Sequence, residues 1–153
     1  MAGRNFAVYI GVMGVVLIGY RGSGKTTVGR LLAKRLGKSF VDCDTVIVKK
    51  TGRSIREIFL AEGEEGFRKI EMSVIAESAM EDCVIAVGGG AVLRGENQRA
   101  LKDQGHQMVY LRCESRELLR RIEADPGTSD NRPSLTNLGG GIEEIEAMLE
   151  QRE

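Results

Sequence analysis

The sequence predicts an α/β fold in which a short central parallel sheet is covered by helices on both faces. Three observations carry that prediction. Short apolar runs alternate with longer amphipathic stretches along the 153 residues, and parallel strands need helical crossovers and are buried on both faces. A glycine-rich segment, GYRGSGKTT from residue 19, lies between the first apolar run and the first helical pattern. No internal repeat or low-complexity tract interrupts the rhythm, and the length suits one domain.

Each element follows in order. GVVLIGY, residues 14–20, reads as the first strand. TTVGRLLAKRLG then places Val28, Leu31, Leu32 and Leu36 at helical spacing and stops at Gly37, a C-cap. SFVDCD, residues 39–44, is the second strand. Ser54 with Glu57 has capping-box spacing and opens a short helix, broken near residues 63–66 by two glycines and followed by a longer helix over about 67–80. DCVIAVGG, residues 82–89, is the third strand and QMVYLRC, residues 107–113, the fourth, with the short helix NQRALKDQG between them. SRELLRRIEAD is the next helix, with Ser115 as its expected N-cap. ADPGTSDNRPSLTNLGGG holds both prolines and four glycines and reads as a long mobile loop. IEEIEAMLEQRE closes the chain as an acidic helix.

Bulk composition removes several function classes. Lysine plus arginine and aspartate plus glutamate both number 22, so there is no global basic field for nucleic acid and any anion site must be local. The apolar stretch over residues 6–20 counts 15 residues with three glycines, short of the roughly 20 needed to cross a bilayer, and it runs straight into the glycine-rich motif with no cleavage site between. Three widely spaced cysteines, Cys43, Cys83 and Cys113, form neither a CxxC pair nor a metal-ligand spacing. Partners such as nucleic acid or membrane are therefore not expected, and a reduced, cytoplasmic setting is. His106 is expected in a surface loop, with no acid or cysteine at useful spacing.

The chemistry starts at Gly19, Gly24, Lys25 and Thr26, which satisfy G-x-x-x-x-G-K-[ST] after a strand and before a helix. Glycines let backbone N–H groups of Gly22, Ser23, Gly24 and Thr27 turn towards phosphate oxygens, the helix N-terminus adds unpaired donors, Lys25 reaches the β and γ phosphates, and Thr26 offers a hydroxyl to Mg²⁺. Asp42 and Asp44 end the second strand, where ligands collect in an open α/β sheet, and a period of two puts them on one side of it. One acid can order the water shell of Mg²⁺ while the other grips, and deprotonates, an acceptor hydroxyl; two solvated acids at a strand end are the plain alternative. Arg68 and Glu71 either form a weak surface ion pair or leave a guanidinium fork for a carboxylate. Gly88, Gly89 and Gly90 want a reason for their entropy cost: a tight turn, or close approach of a ligand to backbone. The third strand carries no aspartate of the Walker B kind, which moves metal-shell duty to Asp42.

Taken together, GxxGSGKTT, Asp-x-Asp, Phe-Arg-x-x-Glu at Phe67 to Glu71, Gly-Gly-Gly and Arg-Pro at Arg132 and Pro133 resemble shikimate kinase, in that order and from about residue 14 onward. The resemblance implies a P-loop three-layer α/β/α domain over residues 14–153. It has four strands here and a fifth expected in the family, a lid over about 123–141, and residues 1–13 as an extension that need not be ordered. It implies transfer of the γ-phosphate of ATP to the 3-hydroxyl of shikimate, with Mg²⁺, by a cytoplasmic monomer. Carried over residue by residue, Arg68 binds the shikimate carboxylate and Arg152 is the second such arginine. Gly88, Gly89 and Gly90 line the acceptor pocket, Arg121 packs on adenine, and Arg132 swings over the phosphates. The family's proline-leucine-tyrosine stretch, last strand and closing helix do not follow Arg152 in these 153 residues. A gluconate or nucleoside monophosphate kinase would share the first motif but would not call for Asp-x-Asp, Phe-Arg-x-x-Glu and Gly-Gly-Gly together, and a non-catalytic nucleotide-binding module is the rival of another class.

Overall fold

The computed structural model describes residues 13–125 and 141–151. Four strands, β1 (Val15–Ile18), β2 (Ser39–Asp42), β3 (Cys83–Ala86) and β4 (Gln107–Tyr110), pair in parallel in the order β2-β3-β1-β4. Six helices are described: α1 (Lys25–Leu36), α2 (Cys43–Thr51), α3 (Ile55–Ala79), α4 (Gly95–Asp103), α5 (Ser115–Ala124) and α6 (Ile142–Glu150). None of the described helices is long and apolar enough to cross a membrane. The strands are shorter than the apolar runs that announce them, because the last residues of the first, third and fourth runs leave the sheet and those of the second enter α2.

Strand pleating divides the core. Val16 and Ile85 point to one face, where they join Ile47, Ile58, Phe67, Ile75 and Leu101 from α2, α3 and α4. Leu17 and Val84 point to the other, against Ala33, Leu32 and Leu36 of α1 and Phe40 of β2. A third cluster joins Tyr20 to Leu118 and Ile122 of α5 and Ile145 and Met148 of α6. These layers hold the carboxyl ends of β1, β2 and β3 side by side, the usual place for a ligand in such a sheet.

Several local expectations hold and several are corrected. Gly37 caps α1 in the left-handed region with φ 66°, and the Ser54–Glu57 capping box is complete. The break in the third helical stretch is one residue, Gly63 at φ 70°, inside a helix that otherwise runs on. The α1 face differs from its periodicity: Val28 and Leu31 are exposed, while Gly29 and Ala33 are buried. Gly29 lets the helix close onto the Phe40 ring, which a Cβ there would overlap, so the innermost line is Gly29–Ala33, flanked by Leu32 and Leu36. Gly29→Ala is therefore expected to cost about 1–3 kcal/mol by overpacking, read as a lower urea midpoint at unchanged slope.

Ser115 is the first helical residue of α5 and not its cap; Glu114 takes that place, and the Ser115 hydroxyl donates instead to Glu146 Oε1 on α6 at 3.2 Å. His106 is buried, its Nε2–H donating to the Ala79 carbonyl at 2.7 Å. Its neighbours Gly105 and Gln107 give no sign of this; the ring is taken up against the end of α3 at Ala79.

Candidate active site

The glycine-rich loop leaves β1 at Gly19 and enters α1 at Lys25. Gly22 (φ 83°) and Gly24 (φ 96°) adopt left-handed backbone that other residues rarely take. At Gly19 the reason is space: a Cβ would lie 2.5 Å from Ser23 Oγ and 2.9 Å from the Leu111 carbonyl. Lys25 Nζ arches back over the loop and donates to the carbonyls of Gly19 at 2.6 Å and Tyr20 at 3.1 Å. The turn thus braces itself with the cation that phosphate would otherwise attract.

The expected two-acid strand end takes a different form. β2 stops at Asp42, and α2 begins at Cys43. Asp42 is the N-cap: its Oδ1 accepts from the backbone N–H of Asp44 at 3.0 Å and of Thr45 at 3.3 Å. Its other oxygen, Oδ2, accepts from Thr26 Oγ1 at 3.1 Å. Asp44 sits in the first turn of the helix, so the two acids do not share a strand face. They still share the cleft, because capping turns the chain inward over it. Cys43, between them, points the other way into the core at 0% exposure. Burial, reinforced by the charges of Asp44 and Asp42, pushes its thiol pKa up. It is expected to resist alkylation in the native protein while half-buried Cys113 reacts, as peptide mass mapping would read.

One open cleft of about 1130 Å³ spans these parts. The loop residues Gly22, Ser23, Gly24, Lys25, Thr26 and Thr27 line it together with Asp42, Asp44, Gly88, Gly89 and Arg121. Arg121 Nη1 donates to the Gly22 carbonyl at 3.1 Å and its Nε to Glu117 at 2.7 Å. Arg120 makes a two-pronged pair with Glu117 away from the cleft. Hydrogen bonds from Arg120 first and Arg121 second hold the Glu117 carboxyl down at about 2. Residues 45–51 carry no strong helical periodicity, yet as part of α2 they bring Thr45, Val48 and Lys49 to the cleft wall, with Ser54 and Ile55 also lining it. The signal for α2 was present in Asp42 as a capping residue and Gly52 as a stop.

Arg68 and Gly90 do not line that cleft. Arg68 is 4% exposed, its Nη1 donating to Glu71 Oε1 at 2.7 Å, with Glu71 at 0%. A second, weaker contact at 3.5 Å reaches Glu64, and the guanidinium lies 5.3 Å from the Phe67 ring centroid. The pair is buried rather than on the surface, a difference that spacing cannot reveal. Gly90 packs directly against that guanidinium. Arg132 and Arg152 lie outside the described residues, as do residues 1–12 and residues 126–140 of the lid expected over about 123–141.

Thr26 and Asp42 suit a magnesium ion by donor type, a hydroxyl and a carboxylate oxygen on one wall of the cleft. Val87 and Gly88 continue β3 into the cleft, and neither is an acid; the Asp42 carboxylate meets the end of the phosphate loop through Thr26.

Comparison with known proteins agrees with this geometry. The family model described as shikimate kinase matches residues 21–153. A shikimate kinase of Moorella thermoacetica is 46% identical over 140 residues, covering 91% of this chain and 77% of that protein. One of Symbiobacterium thermophilum is 53% identical over 110 residues, 71% of this chain and 63% of its own. Among solved structures, shikimate kinase from Acinetobacter baumannii in complex with shikimate superposes with a TM-score of 0.82 at 39% identity, over 92% of this chain and 76% of that one. A gluconokinase from Sinorhizobium meliloti, at 21% identity and a TM-score of 0.58 over 90% of this chain and 74% of its own, shares the fold alone.

Proposed function

This chain belongs to the shikimate kinase family, and from that premise we infer that it transfers the γ-phosphate of ATP to the 3-hydroxyl of shikimate, releasing shikimate 3-phosphate and ADP. The observation that best supports the reading is that a single cleft holds the phosphate loop, Asp44 and the Gly88–Gly89 turn. Donor and acceptor can therefore meet in it.

The chain's own groups divide the work. Backbone N–H groups of residues 22–27 and the N-terminus of α1 receive the phosphates. Lys25 gives up its two carbonyl partners and turns Nζ to the β and γ oxygens, where it offsets charge that builds during transfer. Arg121, already tied to the loop through Gly22, flanks the base. Thr26 would hold Mg²⁺ directly and Asp42 through water, the ion supplying charge neutralisation across the phosphates. Fixing Asp42 by its capping bonds keeps Oδ2 aimed at Thr26.

On the acceptor side, Asp44 orients the 3-hydroxyl for in-line attack and takes its proton, while Arg68 pairs with the carboxylate of shikimate and Gly88 and Gly89 offer backbone at the ring. Arg132 closes over the phosphates and Arg152 adds a second carboxylate contact, as their residue types suit. The setting proposed is cytoplasmic and monomeric, with no nucleic-acid or membrane partner.

ADP release, measured with shikimate, with gluconate, with nucleoside monophosphates and with no acceptor, tests the reading. Release only with shikimate, lost on chelating the metal, is the expected result. Equal release with gluconate, or release without acceptor, would overturn it.

A further inference from the structure

Gly90 is glycine at a place where its backbone does not require glycine. Its φ of −94° and ψ of −5° are open to any residue, and Ala91, next in the same short 3₁₀ turn, carries a side chain that is wholly buried. The reason must then be spatial. A Cβ on Gly90 would lie 2.5 Å from Arg68 Nη2, 3.1 Å from its Cζ and 3.2 Å from its Nη1. All three are atoms of one guanidinium. That guanidinium has a defined seat, which any shift would disturb: Glu71, itself fully buried, holds Nη1 at 2.7 Å, and the Phe67 ring, also fully buried, lies 5.3 Å from Cζ.

We propose that Gly90 is a positioning residue for acceptor recognition: by carrying no side chain, it leaves the space in which Glu71 holds the Arg68 guanidinium, and it acts through that arginine. The inference rests on the reading of Arg68 as the partner of the substrate carboxylate. Gly89, its neighbour, lines the cleft, so a guanidinium seated against Gly90 stands directly behind the acceptor end. A methyl group at residue 90 meets the far end of a flexible side chain rather than backbone, so the chain can yield by moving Arg68 and keep its fold. A misplacement of about 1 Å can cost on the order of a hundredfold in reaction rate.

The test is Gly90→Ala, compared with Arg68→Ala and the double variant, using shikimate and its methyl ester as acceptors and ATP saturation as the control. The expected result for Gly90→Ala is a KM for shikimate raised about ten- to hundredfold, an unchanged KM for ATP, and loss of most of the preference for the free acid over the ester. The double variant should then be no worse than Arg68→Ala, since both act on one contact. Wild-type preference in Gly90→Ala, or losses that add in the double variant, would overturn the proposal. If Arg68→Ala itself keeps the preference for the acid, the reading of Arg68 fails, and the proposal with it. Should Gly90→Ala not fold, the double variant decides against Arg68→Ala as the reference: a double variant as stable as Arg68→Ala supports the collision, and one less stable than Arg68→Ala overturns it.

Discussion

Asp44→Asn is expected to lower turnover by about 10²–10⁴-fold, the usual contribution of a positioned proton acceptor, while ATP affinity stays within about twofold of wild type. The substitution keeps the size and shape of the side chain and exchanges a carboxylate oxygen for an amide nitrogen. It leaves the α2 cap in place, since the cap is made by Asp42 through the backbone N–H of residues 44 and 45. A fall in activity can therefore be assigned to the Asp44 side chain and not to melting of the first turn. Nucleotide binding by calorimetry alongside steady-state turnover checks the prediction. Parallel loss of both would assign Asp44 to the phosphate end and remove it from acceptor chemistry.

Lys25→Met should be the second large loss, about 10²–10³-fold in kcat by analogy with removal of one charge-stabilising donor, accompanied by weaker ATP binding. Methionine keeps much of the stem and deletes the cation. In the structure that cation braces the loop through Gly19 and Tyr20, so the variant loop also loses two internal hydrogen bonds, each worth about 0.5–1.5 kcal/mol net. The two effects separate experimentally. Thermal melting without nucleotide reads the brace, and single-turnover transfer at saturating ATP reads the charge. Unchanged single-turnover transfer would sink the role of Lys25 in the chemical step.

Legibility in the sequence tracks how local each feature is. The phosphate loop was readable because its determinants lie within nine residues: two glycines that need left-handed backbone, a third that needs space, and a lysine and threonine at fixed offsets. The Ser54 capping box and the Gly37 stop were readable for the same reason. Asp42 and Asp44 stand out in the sequence as a pair, but their geometry differs from the one alternation predicts. Alternation predicts a strand through residue 44, whereas Asp42 spends one carboxylate oxygen ending that strand and starting α2. Competition between a strand ladder and a side-chain cap is decided by a fraction of the local free energy, and periodicity does not record it.

Arg68 and Glu71 illustrate the other limit. Their spacing of three suits an exposed helix pair and a buried one equally, and only the packing of α3 against the core makes this pair a buried one. Likewise, nothing adjacent to His106 or Gly29 announces the Ala79 carbonyl or the Phe40 ring that meets each of them.

What the sequence determined by itself was the alternating α/β order, the glycine-rich loop and the ordered set of family motifs, because backbone preference and short-range spacing are written in consecutive residues. What tertiary structure alone decided was which of those side chains reach one cleft, that Asp44 arrives there on a helix, and that Arg68 is buried with Glu71 against Gly90. Those outcomes depend on contacts between segments tens of residues apart, and the free energy of such contacts is set by the shape of both partners at once.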